Sequence, residues 1–155
     1  MLLALLPSLS SAQNSARKIE RIEQVGARLE VVTNDGSYFL TPYSDYIMET
    51  VFVPRGETRD TRSHAVVLAP GQAKARLDDA GDKLEFATRG IGATITRAPF
   101  GISYSYKGKR LLAENEGYSK GGKGEAIDFR LDAAEALYGG GARALGMNRR
   151  GNRLP

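Results

Sequence analysis

The chain contains no cysteine, no tryptophan and a single histidine, His64. Without cysteine there is no disulfide, no thiolate zinc site, no thiol nucleophile and no lipoprotein attachment site. One histidine excludes any centre that needs two imidazoles. The absence of tryptophan removes the side chain best suited to stacking on sugar rings, leaving seven tyrosines and five phenylalanines. No apolar run is long enough to span a bilayer, so no transmembrane segment is expected. No metal or cofactor is expected either. The three glycines 139–141 are not a phosphate-binding loop, because no Gly-Lys-Ser/Thr follows them.

The chain has 155 residues, 41% hydrophobic and 26% charged, which is ordinary globular usage and enough for one domain with a real core. Its 18 glycines suit a turn-rich β protein better than a helical one. The formal net charge of +4 is uneven. Residues 136–155 hold four arginines (Arg143, Arg149, Arg150, Arg153) and no acid, and the remaining 18 basic residues balance 18 acidic ones. A nucleic-acid surface needs a basic face interleaved with aromatics, and four arginines among glycines do not supply one. Nucleic acid is therefore not expected as a partner.

The first sixteen residues carry no charge. Leu2 to Leu6 form a short apolar run, Pro7 ends it, and Ser10-Ser11-Ala12 is a small-residue cleavage-like site before Gln13. Residues 1–12 read as the remnant of a secretory signal peptide without its basic segment, which places the protein outside the cytoplasm, secreted or periplasmic.

Period-two alternation dominates the rest of the chain. Ile19 and Ile22 mark a first strand, and Leu29 to Thr33 a second. Asn34-Asp35-Gly36 is a hairpin signal, and the chain returns through Ser37 to Thr41. Tyr46 to Val53 is β-rich and stops at Pro54-Arg55-Gly56. His64 to Leu68 reads as a short strand. Lys83 to Thr88, Ala93 to Arg97, Ile102 to Tyr106, Arg110 to Ala113 and Ile127 to Leu131 come next as strands. Gly117 to Gly124 reads as a Gly/Lys loop, and Asp132 to Leu137 as at most one helical turn. Strands at this spacing predict an all-β fold, an antiparallel β-sandwich over residues 13–136, followed by a Gly/Arg-rich segment, 137–155.

Three carboxylate pairs are candidates for acid/base chemistry. Asp78/Asp79 precede a glycine and read as a solvated turn. Glu114/Glu116 and Asp128/Asp132 read as surface charge. None has the enclosed setting of a pair placed roughly 5 Å apart across a scissile bond. Tyr104 and Tyr106 share a face with Ile102 and read as core rather than as a sugar-stacking platform.

The segment Leu137 to Pro155, LYGGGARALGMNRRGNRLP, is the most distinctive. Tyr138, Gly139, Gly140 and Gly141, followed by Asn148, Arg149, Arg150 and Gly151, resemble the Tyr-Gly-x-Gly-Glu motif and the Asn-Arg-Arg-Gly-like turn of the amino-terminal domain of glycoside hydrolase family 31. That family holds α-glucosidases, α-xylosidases and α-transglucosylases. Ala142 stands where the family has Glu. The looser resemblance upstream starts near Arg17.

The resemblance implies a galactose mutarotase-like supersandwich, without catalytic residues of its own, that precedes a catalytic (β/α)₈ barrel in the same polypeptide. It implies a parent that acts with retention on α-glucosides or α-xylosides. A mutarotase would use a histidine and a glutamate, and His64 alone makes that activity unexpected. Tyr138, the glycines 139–141, Arg143 and the turn 148–151 are the expected contacts to the barrel or the rim of its sugar pocket. Two other readings are an independent carbohydrate-binding sandwich and a basic interaction module.

Overall fold

The computed structural model describes residues 16–61, 66–70, 73–121, 124–139 and 146–152. Among them are ten strands in two antiparallel sheets and no helix. The first sheet holds β1 (Ile19–Val25), β2 (Arg28–Thr33), β3 (Gly36–Ser44) and β4 (Ile47–Pro54), in chain order. The second holds β5 (Arg76–Asp79), β6 (Lys83–Ala87), β7 (Ile91–Thr96), β8 (Gly101–Tyr106), β9 (Lys109–Gly121) and β10 (Gly124–Arg130), each beside its sequence neighbour. The two meanders face each other as the alternation predicts.

Alternation decides which side chains meet. Leu29 and Val31 of β2 and Tyr38 and Leu40 of β3 point inward from one sheet. Leu84 and Phe86 of β6, Ile95 of β7 and Ile102 of β8 point inward from the other. Phe100, just before β8, closes the layer and lies 5.3 Å, ring to ring, from Tyr38. Each such apolar side chain contributes about 2 kcal/mol by leaving water, so these inward positions outweigh any single surface contact. Thr33 pairs with Gly36, so Asn34 and Asp35 are the two loop residues of the first hairpin.

Three expectations change. The Gly/Lys loop predicted over Gly117 to Gly124 is a hairpin: β9 runs to Gly121 and β10 starts at Gly124. Lys120 lies in the ladder opposite Glu125, its ammonium 3.0 Å from that carboxylate. A strand pair exposed on both faces carries polar residues and so mimics a loop in sequence. The strand predicted over His64 to Leu68 is absent where it is described. Val66 to Leu68 join no ladder, and Val67 is 98% exposed; His64 itself lies outside the described residues. The Asp78/Asp79 turn is an edge strand, β5, held to β6 through half-buried Leu77.

The sheets are unequal. Four strands cover six, and the uncovered part is β10 with the start of β9. Ile127, Phe129 and Leu112 alternate as a core face would, yet each stays exposed. With Met48 and Phe52 of β4 they line a partly open cleft.

Candidate functional site

The Gly/Arg segment is held by its own side chains. Past β10, Asp132 to Glu135 make one turn, in which the Glu135 amide donates to the Asp132 carbonyl at 3.0 Å. The Asp132 amide in return donates to the Glu135 carboxylate at 3.0 Å. Asn148 accepts from two amides through Oδ1, Leu137 and Arg150, both at 3.0 Å. Arg149 donates its amide to the Leu137 carbonyl at 2.6 Å, Nε to Gly139 at 3.1 Å and Nη1 to Gly146 at 2.8 Å. Arg150 Nη1 reaches the carbonyls of Asp132 at 2.6 Å and Glu135 at 2.8 Å.

The Asn148-Arg149-Arg150 turn therefore clasps the chain from Asp132 to Gly139. Charged donors on backbone carbonyls are stronger than neutral ones. Gly139 and Gly151 have φ of 109° and 78°, where a Cβ is strained. Gly140, Gly141 and Arg143 lie outside the described residues. The sequence pattern offers Arg149 and Arg150 as forks for another surface; in the structure these donors serve carbonyls of their own chain. Tyr138 is what the clasp presents outward, 72% exposed, with Met147 at 79%.

A second constellation is not legible in the sequence. Arg17, the first charged residue, is buried between the sheets. Its Nε and Nη2 fork onto Asp35 at 2.9 and 2.7 Å, Nη1 donates to the Tyr38 hydroxyl at 2.6 Å, and Nη2 also reaches the Tyr118 carbonyl at 2.9 Å. The guanidinium lies 4.7 Å from the Phe52 ring centre, a cation–π contact. Beyond Tyr38 lies Glu114 of β9, also buried, with the Tyr38 and Tyr104 hydroxyls each 3.5 Å from its carboxylate. Tyr104 in turn donates to Thr50 Oγ1 at 3.0 Å.

Burial pushes the Glu114 carboxyl up to about 7, because the Arg17 charge and the two phenols offset only part of the lost hydration. Burial acts on Asp35 in the same sense, but the Arg17 fork and the Thr33 hydroxyl outweigh it and hold that carboxyl below its ordinary value. Burial, and then the Glu114 charge, raise both phenols. One clue to Glu114 exists in the sequence: Leu112 and Glu114 share a face by alternation, and Leu112 faces the core side. Its sequence partner Glu116 is exposed, in the bulge of β9 between the paired residues Glu114 and Gly117. The two do not form a catalytic pair.

Glu114, Thr50 and Tyr104 close one end of a cleft of about 260 Å³, whose walls are Met48, Phe52, Leu112 and Phe129. Among the described residues, no three His, Cys, Asp or Glu side chains gather as a metal site would require, and no helix is long and apolar enough to cross a membrane.

Residues 25–155 match the family model described as the glycosyl hydrolase 31 N-terminal galactose mutarotase-like domain. The fold is similar to that of the uncharacterized protein lmo2446 from Listeria monocytogenes EGD-e, at a TM-score of 0.66 and 15% identity over 87% of this chain. A second structure of that protein, in complex with α-D-glucose, β-D-glucose, magnesium and calcium, is similar at a TM-score of 0.64 and 16% identity over 87% of this chain. In both, the match covers 14% of the longer chain. No curated protein matches the sequence. The chain belongs to the glycosyl hydrolase 31 N-terminal galactose mutarotase-like domain family.

Proposed function

We propose that this chain is the supporting amino-terminal domain of a longer family 31 glycosidase or transglucosylase that acts on α-glucosides or α-xylosides. The family match over residues 25–155 carries this reading, because it includes the Gly/Arg segment. In it, residues 13–136 are the sandwich and 137–155 lead into the catalytic barrel. The domain performs no chemistry itself. Its most enclosed carboxyl, Glu114, is surrounded by Arg17, Tyr38 and Tyr104, and no second carboxylate among the described residues is placed beside it for glycosyl transfer.

The Arg149–Arg150 clasp supports a refined view of the interface. The arginines shape the segment from within, and exposed Tyr138 and Met147 are the groups it offers to the barrel or to the rim of a sugar pocket. Export belongs to the same proposal and is supported by the Leu2–Leu6 run before Ser10-Ser11-Ala12. Replacing Tyr138 by Ala in the longer polypeptide tests the interface: lowered thermal stability or kcat/KM supports it. Wild-type values for both would reduce the segment to a surface loop.

A further inference from the structure

The first sheet has an outer face as well as an inner one. Tyr38 and Leu40 of β3 point into the core, so Phe39 and Thr41 point the other way. Glu30 and Val51 lie opposite Phe39 on the two neighbouring strands, and Glu49 lies opposite Thr41. After β4 the chain turns, with the Glu57 amide donating to the Pro54 carbonyl at 3.0 Å, and returns over this face. That return brings Arg59 over the Phe39 ring, 5.1 Å from its centre, where its Nη2 donates to the Glu49 carboxylate at 2.9 Å. Arg28, the first residue of β2, lies over the same ring at 5.4 Å.

The charges there do not balance. Arg59 has Glu49, and Glu30 has Arg21 of β1 at 3.4 Å. The half-buried Arg28 guanidinium makes no hydrogen bond or ion pair among the described residues. Its contact with Phe39 engages the flat face of the group and leaves the in-plane N–H donors unused. Two guanidinium groups on one ring repel, and the Glu49 carboxylate offsets one of them.

The unused donors gather in one place. Arg28 Nε, Arg59 Nε and Thr41 Oγ1 are shut off from solvent and have no hydrogen-bond partner among the described residues. Thr41 as a whole is 6% exposed. Buried donors without acceptors are costly and rare in folded proteins. All three residues line one recess of about 560 Å³, with Tyr43 at its side and Val25 and Ala27 as apolar wall. A space of that size suits a small organic molecule better than a bare ion.

We propose that this recess binds a small molecule through an oxyanion, a carboxylate or a phosphate group. Arg28 supplies the unpaired charge and a planar fork of donors, the geometry that carboxylates and phosphates accept. No bond holds its guanidinium in place, so it turns to meet the ligand and opens the way to the Thr41 hydroxyl and Arg59 Nε. A neutral ligand would leave the Arg28 charge unmatched, and a cation would be repelled. The recess lies on the opposite side of the first sheet from Glu114 and the apolar cleft, so it is a separate site. It goes beyond the supporting role proposed above and does not depend on it.

The test titrates inorganic phosphate and acetate separately into the 155-residue chain at constant ionic strength, with sodium chloride as the control. The Arg28 Nε–H and Thr41 amide resonances are followed. Saturable shifts at both positions are expected with at least one of the two oxyanions and not with chloride. The anion with the lower midpoint tells a phosphate ligand from a carboxylate one. Arg28→Gln is expected to weaken that binding by about tenfold or more. Thr41→Val is expected to weaken it by about threefold, while the melting temperature without anion stays level or rises, because no orphaned hydroxyl remains. No saturable shift with either oxyanion, equal shifts with chloride, or wild-type affinity in Arg28→Gln overturns the proposal. A lower melting temperature for Thr41→Val also overturns it, since the hydroxyl would then have a partner within the protein.

Discussion

Arg17 donates to the Tyr38 hydroxyl at 2.6 Å inside the sandwich, so the residue that leads into the first strand is fixed to the first half of the third. The same guanidinium forks onto Asp35 and stacks over Phe52. Removing it leaves Asp35 without its charged partner and opens a void between the sheets.

Arg17→Ala is expected to destabilise the chain by about 3 kcal/mol, the low end for a broken buried pair because Asp35 still reaches water. Arg17→Lys restores the charge but neither the fork nor the stack, and is expected to recover less than half of the loss. Urea unfolding measures both. A lysine variant as stable as wild type would mean that charge alone matters.

Glu114 makes stability depend on pH near neutrality. Its carboxyl is raised from 4.5 to about 7, so the folded state holds a proton that the unfolded chain has lost. Stability is therefore full below about pH 4.5 and falls as pH rises through 7, by about 3 kcal/mol in all. Asp35 is lowered and acts in the opposite sense, its contribution disappearing only as pH falls below the ordinary carboxylate range. The raised phenols of Tyr38 and Tyr104 stay protonated throughout. Thermal unfolding between pH 5 and pH 8 is expected to show the decline in the wild type and a flat line in Glu114→Gln. The same slope in both proteins would assign it to another group.

Gly117 borders the bulge of β9 with φ of 70°, and a Cβ there would lie 2.7 Å from Glu114 Oε2 and 3.0 Å from the Tyr38 hydroxyl. Gly117→Ala meets backbone strain and crowding together, and is expected to cost about 1–3 kcal/mol. Gly108, also at positive φ but in open space, is the control: Gly108→Ala is expected to show the backbone part alone. Equal losses in urea unfolding would mean that crowding contributes nothing.

Much of the sandwich is legible in the sequence because its core strands are buried on one face and alternate. Leu29 with Val31, Leu84 with Phe86, and Ile102 with Tyr104 obey that rule. It fails where burial is not one-sided. Ile127 and Phe129 alternate correctly but lie beyond the covering sheet, and the Lys120 region is a ladder that looks like a loop. Glu114 reads as surface charge because a single sequence does not show Arg17 arriving from a segment 97 positions away to meet it. The Gly/Arg segment stands out as a motif, but its arginines' own carbonyl partners are set by how the turn folds back on Asp132 and Gly139.

The proposed role of this chain is to support chemistry performed elsewhere in a longer polypeptide. Its most direct test is the rate of α-glucoside hydrolysis by the purified 155-residue chain and by the longer polypeptide, measured side by side. The predicted result is turnover by the longer protein and none by the short chain. Turnover by the short chain, abolished by replacing one of its own carboxylates such as Glu114, would contradict it.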